Sequence, residues 1–259
     1  MLLKDKVAIV SGVGPGLGRA TALALAREGA AVGLAARTEE RVQSVADEIV
    51  AMGGRALAIA TNVVDPDDCV AAMAAVVEEF GGVDILVNSA FRGDPGLPFA
   101  KADLNKWRKV FDVNVWGSLQ LTQAAVPHLQ ARGGGSIVFV NSMSARKIRE
   151  REGSYAASKG ALLVAVRSLA TELGSDGIRV NSVVPGWIWG PNVQLYVDWQ
   201  ISERGVTSEE VIAEITEAIP LGFIPPQEDI AEAILFFASD MSRVITGQSL
   251  DVNGGNWFH

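Results

Sequence analysis

Short runs of β-branched and other apolar residues alternate along the chain with longer stretches in which apolar residues recur every three or four positions. The short runs predict seven strands, at residues 7–10, 31–34, 56–59, 85–87, 137–140, 180–184 and 249–252. The longer stretches predict helices at residues 17–28, 39–52, 66–80, 104–130, 155–173 and 228–237. This alternation predicts an α/β fold, a doubly wound Rossmann-type sheet of about seven parallel strands flanked by helices.

No linker divides the chain and no internal repeat is present, so we predict a single domain over residues 1–259. The regular alternation breaks down after Val184, in roughly 40 residues rich in proline, which is too long for an ordinary connection in a compact domain. We predict that residues 187 to 225 of this stretch form a lid over a substrate site, with short helices of their own.

Composition narrows the class of protein. Hydrophobic residues make up 49% of the chain and charged residues 20%, enough to bury a full core. The net charge of -8, without a basic block, argues against a nucleic-acid partner. A single cysteine, Cys69, excludes an internal disulfide, and two histidines leave no Cys/His cluster for a metal. We see neither a secretory leader nor a membrane span, and we expect a cytoplasmic protein.

A glycine-rich turn joins the first predicted strand to the first helix. It reads Ser11-Gly12-Val13-Gly14-Pro15-Gly16-Leu17-Gly18. Glycine lets the backbone approach a pyrophosphate closely, and a helix amino terminus offers unpaired N–H groups and a favourable dipole. We predict that a dinucleotide binds here, the alternative being a glycine-rich turn without a ligand.

The end of the second predicted strand bears on which dinucleotide binds. An acid at this point would bond a ribose 2′-hydroxyl, whereas an arginine would favour a 2′-phosphate. The residue is Arg37, and Glu39 and Glu40 fit the first turn of a helix that begins after Thr38. We therefore favour NADP(H), with NAD(H) as the alternative if Arg37 only stacks on adenine or lies in solvent.

Tyr155 and Lys159 are four residues apart on a predicted helix, which places both side chains on one face. A fixed cation beside a phenol favours the phenolate and brings the group towards the range of useful acid–base chemistry. The pair is a candidate proton-transfer device, although a half-buried tyrosine beside a solvated lysine is a common arrangement without function.

Several motifs in the right order resemble the classical short-chain dehydrogenase/reductase family over almost the whole chain. They are the Gly12, Gly16 and Gly18 spacing, Asn88-Ser89-Ala90, Asn114, Ser142, Tyr155 with Lys159, and Pro185-Gly186. The resemblance implies that Tyr155 is the general acid or base, that Lys159 lowers its pKa and bonds the nicotinamide ribose, that Ser142 holds the substrate oxygen, and that Asn114 keeps a relay water near Lys159. It also implies a homotetramer.

The resemblance further implies a set of cofactor contacts. They are Gly12, Gly16, Leu17, Gly18, Arg37, Asn62, Val63, Asn88, Ala90, Tyr155, Lys159, Pro185, Gly186 and Ile188. Four positions depart from the usual pattern. Ser11 replaces a threonine before the first glycine and keeps its hydroxyl. Asn62 replaces an aspartate that bonds adenine, Phe91 replaces a glycine at the cofactor and substrate entrance, and Gly190 replaces a threonine that bonds the nicotinamide carboxamide.

The substrate side is rich in aromatic residues. Phe91, Trp187, Trp189 and Tyr196 are the predicted substrate contacts, and they suggest a bulky apolar substrate. The alternative is that the lid rings pack on the body or on a partner subunit. Arg146, Lys147, Arg149 and Arg151 could attract an anionic substrate, but such a mixed-charge run is more often a solvated loop.

The sequence thus predicts an oxidoreductase that transfers a hydride between NADP(H) and a secondary alcohol/ketone pair, without a metal. The rival within enzymes is an NAD(H)-dependent alcohol or 3-hydroxyacyl dehydrogenase, and the remote alternative is a dinucleotide-binding regulator without turnover.

The carboxyl-terminal segment from Asn253 to His259 ends in apolar rings, and we expect it to pack at a subunit interface.

Overall fold

The computed structural model describes residues 1–258, and His259 lies outside the described residues. Over this range the chain forms one parallel sheet of seven strands in the order β3-β2-β1-β4-β5-β6-β7. The strands are β1 Val7–Ser11, β2 Ala31–Ala36, β3 Arg55–Ala60, β4 Ile85–Asn88, β5 Gly135–Val140, β6 Ile178–Pro185 and β7 Ser249–Val252. The predicted doubly wound sheet is confirmed, with strand ends displaced by one or two residues.

Nine α-helices lie along the described chain. They are α1 Leu17–Arg27, α2 Glu39–Ala51, α3 Pro66–Phe80, α4 Leu104–Phe111, α5 Ser118–Ala131, α6 Gly153–Leu173, α7 Pro191–Arg204, α8 Ser208–Glu217 and α9 Gln227–Ala238. The stretch after β6 holds α7 and α8 as its own short helices. They share a small apolar cluster built on residues such as Val197, Val211 and Ile219.

The predicted helix at 104–130 is interrupted. A π turn over Asp112–Gly117 separates α4 from α5, and Asn114 lies within it. A π turn shifts the backbone hydrogen-bond ladder by one residue, which is common at functional sites. Apolar periodicity continues across such a turn, so the sequence pattern alone does not reveal it.

The sheet has a separate apolar layer on each face because alternate residues of a strand point to opposite sides. In β1, Ala8 and Val10 join the layer under α1, α2 and α9. Val7 and Ile9 join the layer under α3, α5 and α6. Both faces are therefore covered, as a parallel sheet requires.

The side on which successive strands are added reverses between the parallel strands β1 and β4, whose carboxyl ends lie together with Ser11 beside Asn88. Strands β2 and β3 lie on the β1 side of this point, and β5, β6 and β7 lie on the β4 side. Ligands of open α/β sheets bind in the crevice at such a switch point. The topology thus locates the candidate site.

Two further features of the described residues bear on class. None of their helices has the length and apolar character that crossing a membrane requires. Over the same residues, His, Cys, Asp and Glu form no group of three or more that could hold a metal ion.

Candidate active site

Two neighbouring cavities open at the carboxyl edge of the sheet. The central cavity, about 460 Å³, is lined by the glycine turn, Ser142, Tyr155, Lys159 and the segment after β6. The outer cavity, about 440 Å³, is lined by residues that follow β2 and β3. The two share Gly12, Gly14, Arg41 and Phe91. Together they form a continuous groove across the switch point.

The glycine turn is shaped for an elongated phosphate ligand. Gly12 has φ +75°, and a Cβ there would stand 2.4 Å from the Ala90 backbone nitrogen. Gly14 has no atom within 4 Å of its Cβ position, so the turn leaves open space on the cavity side. No side chain caps the amino terminus of α1 at Gly16, so its first N–H groups are free to bind an anion. The residues present fit a dinucleotide pyrophosphate.

The outer cavity is basic where it receives the end of β2. Arg37, Arg41 and Lys109 line it, and no acidic side chain follows β2 until α2 begins at Glu39. Asn62 and Val63 line the same cavity. Asn62 uses its side-chain oxygen to accept from Val64 N at 3.4 Å. This end can hold an adenosine, with cations placed near the ribose.

Lys159 is almost completely buried, with 3% of its surface exposed. Its Nζ donates to the Val140 carbonyl at the end of β5, at 2.8 Å. Burial lowers the pKa of Lys159 from 10.5 to about 8, because a low-dielectric surrounding disfavours the charged form. A buried lysine at the wall of a cavity is unusual and points to use.

Tyr155 borders the central cavity one helical turn from Lys159, as predicted. Burial raises its pKa, a hydrogen bond with Ser142 opposes the rise, and the charge of Glu152 adds to it. The net direction is the opposite of what the family resemblance implies. The Lys159 ammonium lies 5.7 Å from the Tyr155 ring centroid, over the ring, and is not among the causes of this shift. The protein thus keeps the phenol protonated.

Ser142 and Asn114 belong to two other elements, and only Ser142 reaches the cavity that Tyr155 and Lys159 line. Ser142 follows β5, lines the central cavity, and accepts from Ser144 N at 3.2 Å. Asn114 is fully buried in the π turn, donates to Ser158 Oγ at 2.9 Å, and accepts from Arg92 N at 2.7 Å. Asn114 does not line either cavity. It joins α6 to the loop that follows β4.

The remaining predicted cofactor contacts divide between the cavities and the layer below them. Gly16, Leu17, Gly18, Pro185, Gly186 and Ile188 line the central cavity, and Ala90 lines the outer one. Asn88 lies beneath, 2% exposed, and donates to Thr122 Oγ1 at 2.9 Å. Asn88 therefore supports the floor of the groove.

Two of the four predicted substrate contacts line the central cavity. Phe91 packs edge-on to the Tyr155 ring, with the centroids 6.4 Å apart, and Trp187 forms part of the wall. Tyr196 lies outside the lining, between the rings of Trp187 and Trp199. Trp189 also lies outside it, with its backbone paired to Pro226. Packing against Trp187 and Trp199 holds the Tyr196 ring outside the cavity lining.

The mixed-charge run after Ser142 is not a solvated loop. Arg146 forms a largely buried ion pair with Asp251, Lys147 donates to the Asn256 carbonyl at 3.2 Å, and the Arg149 guanidinium stacks 4.2 Å from the Trp187 ring centroid. These cations bind the loop to the carboxyl-terminal segment and to Trp187. Sequence reasoning could not find their partners because they lie up to 109 residues away.

Asp94 is a site residue that sequence reasoning missed. One of its carboxylate oxygens accepts from the backbone N–H groups of Ser154 at 2.8 Å and Tyr155 at 3.2 Å, and from the Ser154 hydroxyl. Glu152, at the N-cap position of α6, provides no side-chain cap. Asp94 thus caps the helix that carries Tyr155 from a loop some 60 residues earlier in the chain.

We expect Asp94→Ala to lower the free energy of unfolding by about 1–2 kcal/mol, the usual cost of a lost helix cap, and to lower kcat/KM as the first turn of α6 loosens. Asp103, which caps α4 through Asn105 N, is the matched control. Asp103→Ala should lower stability similarly and spare kcat/KM. Urea unfolding and steady-state rates measure both; equal loss of kcat/KM in the two variants would contradict a role for Asp94 in placing Tyr155.

Comparison with known proteins agrees with this geometry. A family model described as enoyl-(acyl carrier protein) reductase matches residues 12–256. L-rhamnose 1-dehydrogenase (NAD(P)(+)) of Azotobacter vinelandii is 38% identical over 98% of this chain and 98% of its own. Cis-4-hydroxycyclohexanecarboxylate dehydrogenase of Sinomonas cyclohexanicum is 35% identical over 97% of this chain and 96% of its own.

The fold is equally similar to solved structures. A short-chain type dehydrogenase/reductase from Mycobacterium marinum superposes with a TM-score of 0.89, at 33% identity, over 98% of this chain and 96% of that one. Sequence and fold agree over nearly the whole chain. The chain therefore belongs to the short-chain dehydrogenase/reductase family and is an NAD(P)-dependent oxidoreductase.

Proposed function

We propose that the chain interconverts a secondary alcohol and its ketone with NADP(H), on a bulky and largely apolar substrate. The observation that carries this proposal is the meeting of Ser142, Tyr155 and Lys159 at the wall of the cavity that also contains the glycine turn. The bound nicotinamide supplies or accepts the hydride. The chain itself must bind the cofactor, orient the substrate oxygen and move one proton.

Tyr155 moves that proton. Its phenol is protonated at neutral pH, and burial raises its pKa further, so it can donate to a carbonyl oxygen on which negative charge develops. Ser142, whose hydroxyl opposes that rise in pKa, lines the same cavity and offers a second hydroxyl to the substrate oxygen. In the alcohol-oxidising direction the same phenol must first lose its proton, and burial opposes that ionisation.

Lys159 and Asn114 have separate supporting roles. Lys159 holds a buried positive charge against the cavity and contributes the ammonium that can bond a nicotinamide ribose. Asn114 lies in a π turn next to α6, bonds Ser158 beside Lys159, and on this proposal keeps a relay water near Lys159. Phe91 and Trp187 give the substrate end its apolar character.

A panel of ketones with NADPH, and of alcohols with NADP⁺, followed at the nicotinamide absorbance, tests the proposal. Turnover of cyclic or aryl ketones above short-chain ones is the expected result. Binding of the dinucleotide without turnover of any member would favour a regulator.

NAD(H)-dependent oxidation of an alcohol or 3-hydroxyacyl compound is the second candidate. It is supported by the similarity to a relative whose name gives NAD(P)(+) as its cofactor and to one named for a cyclic hydroxy acid. The two candidates differ at the outer cavity.

A variant of Arg37 distinguishes the NADP(H) candidate from the NAD(H) candidate. We expect Arg37→Ala to weaken NADPH binding by about tenfold, since a bond to a charged phosphate at an exposed site contributes roughly 1–2 kcal/mol, and to leave NADH binding within twofold. Fluorescence titration of both cofactors measures this. Arg55, an exposed cation over the Phe80 ring where β3 begins, is the matched control, and Arg55→Ala should change neither. Equal weakening of NADPH and NADH would refute the 2′-phosphate contact.

We also propose a cytoplasmic homotetramer with no nucleic-acid or membrane partner. The carboxyl-terminal rings support an interface, because Phe258 is 74% exposed although the Asn253 side chain holds the Trp257 carbonyl and the Asn256 side chain reaches the Ala218 carbonyl. An ordered backbone that presents apolar rings to solvent suits a partner surface. A one-chain mass in sedimentation would contradict the tetramer.

A further inference from the structure

Gln227, the first residue of α9, reaches into the central cavity from behind the glycine turn. Helix α9 packs along α1 through small residues that include Ala24 and Ala231. The Gln227 side chain lines the cavity together with Gly16, Leu17 and Gly190. Its amide thus approaches the amino terminus of α1 from a second element.

The Gln227 amide occupies the space next to Gly190. A Cβ built on Gly190 would stand 2.0 Å from Gln227 Nε2, while a Cβ on Gly16 would stand 4.0 Å from Gln227 Oε1. Gly190 has φ 168°, an extended backbone that any residue can adopt. Its backbone therefore does not require glycine. A side chain at 190 would instead displace the Gln227 amide from its present position.

The same amide has no partner within residues 1–258, where its side chain makes no hydrogen bond. Gln227 is only partly exposed. A glutamine amide carries two donor hydrogens and an acceptor oxygen, and such groups are normally bonded when they are withdrawn from water. Because it faces the cavity, the amide is available to a group that enters the cavity.

The position of the amide indicates which group. Next to it are Gly16 and Leu17 at the uncapped amino terminus of α1, which is suited to a pyrophosphate. We propose that Gln227 Nε2 donates to a pyrophosphate oxygen of the bound dinucleotide, and that glycine at 190 leaves room for it. This inference rests on the dinucleotide site of the proposed function.

Ligands that differ in one group test the assignment. We would titrate Gln227→Ala with NADPH, with its fragment lacking nicotinamide (2′-phospho-ADP-ribose), and with adenosine 2′-phosphate, which has no pyrophosphate. The expected result is a loss of about five- to tenfold for the first two by a common factor, and no change for the third. If the wild type prefers NADH, the series becomes NADH, ADP-ribose and adenosine.

A second pair of variants tests the link to Gly190. Gly190→Thr should weaken binding of NADPH and of the fragment, because the new side chain displaces the Gln227 amide. In the double variant with Gln227→Ala the clash is gone, so adding Gly190→Thr to Gln227→Ala should cost less than adding it to the wild type. Gln194, an exposed glutamine of α7 bonded to Asp198, is the control, and Gln194→Ala should bind all ligands as the wild type does.

Each contrary result of these titrations overturns a different part of the proposal. Weakening of NADPH alone would place Gln227 at the nicotinamide and overturn the pyrophosphate contact, as would unchanged binding of all three ligands by a variant whose thermal unfolding matches the wild type. Additive effects of the 190 and 227 changes would overturn the proposed link. A wild type that binds no dinucleotide would instead overturn the proposed function, and the inference with it.

Discussion

Tyr155→Phe is expected to lower kcat by about 10²- to 10⁴-fold, the usual contribution of a positioned general acid. The change removes one hydroxyl and keeps the ring that packs against Phe91. NADPH affinity should stay within a few-fold, because the glycine turn and the outer cavity are untouched. Single-turnover reduction of a ketone, together with a cofactor titration, separates the two effects.

The loss follows from where the charge develops. Hydride addition places negative charge on the substrate oxygen, and Tyr155 is the protonated group at that part of the cavity. Ser142 can still bond the oxygen in the variant, so a residual rate above background is expected rather than none.

Tyr196 is the only other tyrosine and provides the control. Its ring packs between Trp187 and Trp199, outside the cavity lining, and Tyr196→Phe keeps that ring. We expect kcat within about twofold of the wild type, as for a surface change. A Tyr155→Phe enzyme that keeps near wild-type kcat would remove Tyr155 from the mechanism.

Lys159→Met should abolish most turnover and yet stabilise the protein without cofactor. Turnover should fall by about 10²-fold or more, since the chain loses the buried cation that we propose bonds the nicotinamide ribose. The gain in stability arises because burial lowers the pKa of Lys159 from 10.5 to about 8. That pKa difference corresponds to about 3 kcal/mol in the free energy of unfolding. The variant gives back about 1 kcal/mol, because the Val140 carbonyl loses its hydrogen-bond donor.

The stability gained by Lys159→Met decreases as the pH rises. Between about pH 8 and 10.5 the unfolded chain binds a proton at this lysine that the folded chain has released, so wild-type stability rises with pH there relative to the variant. The free energy of unfolding of Lys159→Met should therefore exceed that of the wild type by about 2 kcal/mol at pH 7, and the two should converge towards pH 10.

Urea unfolding at pH 7 and pH 9.5 measures this difference. Lys101, an exposed lysine in a short turn before α4, is the control. Lys101→Met should alter neither the rate nor the stability by more than about 0.5 kcal/mol. A Lys159→Met protein less stable than the wild type at both pH values would mean that Lys159 is held by a stabilising contact rather than kept for function.

Most of the fold can be read from local sequence. Strand runs such as 7–10 and 31–34 and the helix near 66–80 follow from period-two and period-3.6 apolar patterns, which act over a few residues. Asp65 before Pro66 is a local cap signal that the structure uses at the start of α3. The π turn around Asn114 is invisible to such patterns because shifting the hydrogen-bond ladder by one residue hardly changes the apolar stripe.

Some residues of the candidate site can be found from local sequence motifs, and others only from the structure. Gly12, Ser142, Tyr155 and Lys159 were named from motifs, and the structure brings them to one groove because parallel strands end at the same edge. Asp94 and Gln227 were not named. Asp94 bonds the backbone of Tyr155, and Gln227 lies next to Gly190. Both contacts join residues tens of positions apart along the chain, and a lone acid or amide carries no local signal of such a partner.

By itself the sequence determined the alternation of strand and helix, the glycine turn, the residues with acid–base capacity and the family they resemble, since these depend on spacing along the chain. Only the tertiary structure decided that burial raises the pKa of Tyr155 and lowers that of Lys159, that Tyr196 and Trp189 lie outside the cavity, and that Arg146 is paired with Asp251. Burial and long-range partners exist only when distant segments meet, and local sequence contains no record of them.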